Sequence, residues 1–290
     1  MNTRAAGRNF VELLSLQDVT VFAVDMRGHG RSEGARGSAA SFSVLVKDVD
    51  AFVRHVSEQN KIPLPNMIVL AHSVGAVSVA TWVHDYAPPI RAMIQAAAAF
   101  RVKLYVPFAV PALRLKQRAT GPGYVKSYVK AKMLTHDAEE AARYDADPLI
   151  FRQIAINILL DLHDTSKRLL ADAGAINVAT LMLGAGSDWV VSLKAQSAFF
   201  NGLSSAVKCA CFPGCLSRDF SRTGSPSGRR SRARVCAGTV RATRGYDLTA
   251  RSGQRRVYMG RARAIEAARR SAISAYSRGH EDGWPLEQGN

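Results

Sequence analysis

Residues 68–77, IVLAHSVGAV, restrict the fold more than any other stretch of the chain. Ile68, Val69 and Leu70 favour extended backbone, Ala71, His72 and Ser73 follow, and after Gly75 apolar residues resume at helical density. A strand that passes into a helix through one serine makes a sharp turn, with the serine strained at its apex. Residues two before and two after that serine must be small, or their side chains collide. Ala71 and Gly75 meet this demand, alanine being a mild departure from glycine. The turn exposes the Ser73 hydroxyl above the sheet and aims the Val74 N–H, at a helix N-terminus, where an oxyanion develops. The plainer alternative is a helix start capped by a serine. The strand before it and the helix after it favour a nucleophile.

The flanking pattern extends the unit. VTVFAVD (19–25) reads as a buried parallel strand, followed by the glycine- and arginine-rich loop MRGHGRSEGARG. Phe42, Leu45, Val49, Phe52, Val53 and Val56 recur at helical spacing and predict a helix over 41–57. NMIVLAH (66–72) predicts a strand, 74–86 a helix, and RAMIQAAAA (91–99) a weaker strand, because alanine forms strands poorly. Residues 100–175 lose the alternation and read as several helices with proline and glycine breaks. VATLMLGAGSDWVV (178–191) restores a strand and an acidic loop, and 193–203 a helix. Strands alternating with helices predict an α/β fold, a parallel sheet with helices on both faces. The helical cap at about 100–175 would be an insertion over that sheet.

Composition divides the chain near residue 208. The net charge is +16, yet residues 1–208 hold 23 Lys and Arg against 17 Asp and Glu, while 209–290 hold 16 Arg, no Lys and 6 acids. All four cysteines (Cys209, Cys211, Cys215, Cys236) also lie past 208. Leu, Ile, Val and Phe supply 10 of these last 82 residues, too few for a packed domain, so disorder is expected there apart from a short helix in 262–276. The cysteine spacing is poor for zinc and no histidine pair accompanies it, so no metal and no cofactor is expected. No apolar run reaches a membrane-spanning length of about 18 residues, and the N-terminus has no apolar signal core, which points to the cytoplasm.

VFAVDMRGHGRSEG, followed some forty residues later by LAHSVGA, resembles the monoacylglycerol lipase and lysophospholipase branch of the α/β-hydrolase fold, the serine-aminopeptidase-like group. In that family a D-x-R-G-x-G-x-S loop precedes the helix before the nucleophile strand, as here. ADPL (146–149) resembles part of the family's helical cap, and GAGSDWVV (184–191) resembles the loop bearing its triad acid. The resemblance covers roughly residues 9–208. It implies Asp188 as the acid that orients the catalytic histidine, in the Ser…Asp…His order of this fold. The alternative for Asp188 is a loop carboxylate capping the next turn.

The resemblance also implies a histidine in an F-P-G-x-x-H-[DE] setting. CFPGCLSRDF (211–220) has the Phe-Pro-Gly, but Ser217 stands at the histidine's position, and no histidine occurs between His163 and His280. SRDFSRTGS (217–225) can be encoded so that the frame one nucleotide later reads His-Glu-Ile-Phe-His-Glu-Arg-Asp-Arg. The expectation is therefore a shifted reading frame from about residue 209. The fold further needs an earlier strand ending in a His-Gly-type loop with a second oxyanion N–H, and MNTRAAGRNF begins just after that loop's place, so the N-terminus is expected to be truncated.

The expected function is a serine hydrolase of carboxylic esters. Ser73 is the nucleophile, Val74 the oxyanion donor, Ala71, His72 and Gly75 form the elbow, and Asp188 is the acid. Losing one oxyanion donor costs about 10²–10³ in rate, and the missing base costs more. The substrate would be a small acyl ester or lipid, with peripheral membrane contact through the mixed aromatic, apolar and basic stretch FRVKLYVPFAVPALRL (100–115). Two alternatives stand beside it: a catalytically inactive scaffold or decaying gene product, and nucleic-acid binding through the arginine tail, which has few interleaved aromatics and matches no binding fold.

Overall fold

The computed structural model describes residues 19–205 except 187, together with the backbone of 208–211. Four strands form one parallel sheet: β1 (Ile68–His72), β2 (Ala92–Ala96), β5 (Thr180–Leu183) and β6 (Lys208–Cys211), in the order β1-β2-β5-β6. Ile68 pairs with Ala92, Met93 with Thr180, and Thr180 with Lys208, so the carboxyl ends of the strands align along one edge. Every residue of β2 and β5 is buried. Central parallel strands read as continuous apolar runs for that reason, and the small side chains of AMIQA suit a strand packed from two sides, which outweighs alanine's weak strand preference.

The helices follow the apolar periodicity. Helix α1 (Phe42–Asn60) buries Phe42, Leu45, Val46, Val53 and Val56. Its first N–H has no cap from Ser41 and is satisfied instead by Asp161 Oδ2, at 3.0 Å from Phe42 N. Helix α2 (Val74–Tyr86) packs against α1, with Trp82 buried between them and its Nε1–H donating to Asp50 at 2.9 Å. Helix α5 (Ile156–Ala171) packs on α2, and α6 (Leu193–Gly202) on α5. Phe199 of α6 stacks on Phe100 at 4.1 Å between ring centroids.

Between β2 and β5 lie α3 (Ala109–Thr120), α4 (Ala138–Ala146) and α5. Two short strands, β3 (Tyr124–Lys126) and β4 (Gln153–Ala155), also pair there as an antiparallel ladder that sequence periodicity does not reveal. At three residues each they are too short to carry a period.

One expected strand is not formed. Residues 19–24 run extended but outside any ladder, and Val19, Val21 and Val24 are 53%, 52% and 45% exposed. Strand character in VTVFAVD needs a neighbour to hydrogen-bond, and among the described residues none lies beside it. Strand β6 carries the sheet to residue 211, three past the compositional boundary at 208. The helix expected at 262–276 falls outside the described residues.

Candidate active site

The D-x-R-G-x-G-x-S loop is a self-braced clamp beside α2. Ser32 Oγ donates to the Asp25 carbonyl at 2.6 Å, and Asp25 Oδ2 accepts from Arg31 N at 3.1 Å. Gly30, at φ 53°, lies so close that a Cβ there would sit 2.2 Å from the Asp25 carboxyl carbon. Arg27 holds α1 through two bonds to Asp48, of 2.8 and 2.6 Å. Gly37 joins the loop to the insertion by accepting from Ala155 N at 3.0 Å. His29 belongs to this loop, its Nδ1 lying 2.9 Å from the Arg27 carbonyl, and burial pushes its pKa down. Met26 reaches the elbow, with its sulfur 3.6 Å from where a Gly75 Cβ would be. That is ordinary van der Waals contact, so the demand for glycine two residues past Ser73 is weaker than the motif implies.

Ser73 joins β1 to α2 at φ 53° and ψ −119°, a region that L-residues rarely adopt. The strain is held by backbone bonds to the end of β2: Ser73 N donates to Ala96 O at 2.9 Å, and Ser73 O accepts from Ala99 N at 3.1 Å. The hydroxyl makes no helix-capping bond, so the plain N-cap alternative fails. The Val74 N–H, first of α2, has no acceptor among the described residues. Ala71 and His72 are the last two residues of β1, opposite Gln95 and Ala96 of β2.

Asp188 lies in the loop after β5, on the same carboxyl edge and two strands from Ser73, roughly 10 Å by strand spacing. The loop is fixed to residues 101–103 by an antiparallel bridge between Val102 and Val191 and by bonds from Lys103 N to Val190 O (2.8 Å) and Ser192 N to Arg101 O (2.9 Å). Asp188 is 5% exposed. Its Oδ1 accepts from Val190 N at 2.7 Å and Val191 N at 2.8 Å, while its buried Oδ2 accepts nothing among the described residues. Burial raises its pKa, against those two backbone bonds and the charge of Lys103. The turn-capping role foreseen as an alternative is thus filled by one oxygen only, and the second is buried without a partner among the described residues.

Two neighbours of Asp188 carry no motif. Lys103 Nζ donates to the Asp188 backbone carbonyl at 2.6 Å. Tyr128 donates to the Lys103 carbonyl at 2.6 Å, and its pKa is pushed up to about 12, first by burial and then by Tyr105 and Asp188. Only the chain path that brings residues 101–128 back over the β5 loop reveals them.

The described histidines do not complete a triad. His84 is eleven residues along α2 from Ser73, about 17 Å at helical rise, bracketed by Asp85 (2.6 Å) and Asp172 (2.9 Å). No described histidine is a hydrogen-bond partner of Asp188. Ser217, where the histidine is expected, lies outside the described residues.

Comparison with known proteins shows the family and the fold. A family model described as "Serine aminopeptidase, S33" matches residues 5–216. The chain is 48% identical over 201 residues to an Escherichia coli K12 protein called "Uncharacterized protein YnbC", covering 69% of this chain and 34% of that one. It is 31% identical over 130 residues to a Mycolicibacterium smegmatis monoacylglycerol lipase (45% of this chain, 46% of the relative), and 32% identical over 146 residues to human monoglyceride lipase (47% and 44%). The chain thus spans less than half the length of these curated relatives. The crystal structure of Paleococcus ferrophilus monoacylglycerol lipase superposes with a TM-score of 0.65 at 23% identity, over 73% of this chain and 80% of that one, which shows a shared fold. With the matched model spanning most of its length, the chain belongs to the S33 serine aminopeptidase family, within the α/β-hydrolase fold.

Proposed function

We propose that the chain carries the nucleophile and acid of a serine hydrolase acting on carboxylic esters, of monoacylglycerol lipase or lysophospholipase type. The observation that carries this is the strained Ser73, with its hydroxyl free of the helix, at the same sheet edge as a buried Asp188 with one oxygen that has no partner among the described residues. Ser73 Oγ attacks the acyl carbon, and the Val74 N–H stabilises the oxygen that becomes negative. The hydroxyl proton passes to a base and from it to the departing alcohol as the ester C–O bond breaks. Water then cleaves the acyl-serine by the same route. Asp188 Oδ2 would orient that base. The lipases of related sequence support an acyl ester or lipid substrate.

The base would be a histidine at position 217, displaced from this chain by a shifted reading frame. A fluorophosphonate probe is expected to label Ser73 slowly, to lose the label in Ser73→Ala, and to label faster in Ser217→His/Arg218→Glu. Labelling that survives Ser73→Ala overturns the nucleophile. Sequencing the coding DNA across codons 200–240 tests the base separately: an offset frame interrupted by a stop removes the frameshift, not Ser73.

A further inference from the structure

The loop that carries Asp188 is held through three successive backbone carbonyls. Those of Asp188, Trp189 and Val190 accept, in turn, from Lys103 Nζ at 2.6 Å, the Tyr105 hydroxyl at 2.5 Å and Lys103 N at 2.8 Å. From within the loop, the N–H groups of Val190 and Val191 both donate to Asp188 Oδ1. Residue 103 is the hub of this arrangement. Its N–H and its ammonium hold the acid loop, and its carbonyl accepts from the Tyr128 hydroxyl at 2.6 Å. Tyr128 lies two residues past β3, and its ring meets that of Tyr105 edge to face, with centroids 5.7 Å apart. Main chain and side chain of Lys103 thus serve one loop, and tie it to the insertion.

A mechanical tie needs a donor but not a charge. The charge matters because of the residue on which the tie ends. Asp188 is 5% exposed, and burial raises its pKa; the two backbone N–H bonds and then the charge of Lys103 oppose that. An acid that orients a catalytic base must be an anion while that base becomes a cation. A cation held on the backbone of the same residue favours that anion. Tyr128 brings no competing charge. Burial, and after it Tyr105 and Asp188, push its pKa up to about 12, so it stays a neutral donor throughout the range in which a carboxyl titrates.

We propose that Lys103 is a positioning residue for Asp188: its side chain fixes the acid loop at the Asp188 carbonyl, its charge stabilises the carboxylate, and its main chain joins that loop to the insertion through Tyr128. This deepens the reading of Asp188 as the acid and rests on it.

The test is an NMR titration of the Asp188 carboxyl in the full chain, with its signal identified by its loss in Asp188→Asn. Lys103→Met keeps the stem and both main-chain bonds but removes the ammonium, whereas Lys103→Arg keeps the charge and a donor. The midpoint is expected to rise in Lys103→Met and to stay with the parent in Lys103→Arg. A purely mechanical tie gives the opposite sign. Its loss would loosen the loop, admit water to the carboxyl and move the midpoint down toward the ordinary carboxylate value of about 3.9. A midpoint that falls or stays in Lys103→Met, or that moves equally in both variants, overturns the proposal. Denaturant titrations at pH 7 read the same sign independently. The stability gained by Asp188→Asn should be larger in Lys103→Met than in the parent, and unchanged in Lys103→Arg. An equal or smaller gain in Lys103→Met also overturns the proposal. Neither readout uses Ser73 or the base, so a failed nucleophile leaves both intact, and labelling of Ser73 does not decide the role of Lys103.

Discussion

Ser73 and Asp188 each carry a conformational or electrostatic cost that the rest of the fold must offset. For Ser73 the cost is backbone strain of about 1–3 kcal/mol. Glycine tolerates φ 53° and ψ −119° freely, whereas alanine does not. Ser73→Gly should therefore be more stable than Ser73→Ala by about 1 kcal/mol, some 2–4 °C in melting temperature for a chain of this size, and equal stability of the two would mean the turn relaxes. For Asp188 the cost is a buried charge. Its folded pKa is raised, so folding disfavours the charged form relative to the unfolded chain; the stability is complete below the ordinary carboxylate value of about 3.9 and is lost as pH rises through the folded value. Asp188→Asn should thus be more stable than the parent at pH 7. The gap should close as pH falls through the carboxylate range, as read by denaturant titrations at several pH values. A gap that widens toward acid would contradict the assignment.

At the scale of elements, β1 is the outermost strand of the sheet among the described residues. Ile68 and Leu70 are each 41% exposed, and the extended residues 19–24 present further valines. Strand edges with unpaired backbone and apolar side chains invite pairing with another chain, and a lysine on such an edge blocks it. Ile68→Lys and Leu70→Lys should each reduce light scattering of concentrated protein, with little change in melting temperature. Scattering that persists in both would place self-association elsewhere. The same edge explains the one expected strand that is missing. VTVFAVD has the residues of a strand, but a strand is a property of two neighbours, and a single segment cannot show whether its partner is present.

For the whole molecule, the divisions visible in period reappear in space, whereas the compositional boundary near 208 falls inside the sheet, since β6 runs to residue 211. The parallel α/β layering, the helix and strand on either side of Ser73 and the insertion between β2 and β5 follow from apolar periodicity, because burial on one helical face or in a central strand leaves a trace at 3.6 or 2 residues. The motif residues 25–32 were legible for a related reason, since positive φ and close backbone approach admit few side chains. What the sequence by itself determined is therefore local: where the chain turns, which face is apolar, and that Ser73 stands at a strained strand–helix junction. The tertiary structure alone decided what depends on proximity across the chain: that one buried oxygen of Asp188 has no partner among the described residues, that Lys103 and Tyr128 close over its loop, that β3 pairs with β4, and that Phe108 stands in solvent. Contacts between residues tens of positions apart leave no period in the sequence, because they arise from the path of the backbone and not from the succession of side chains.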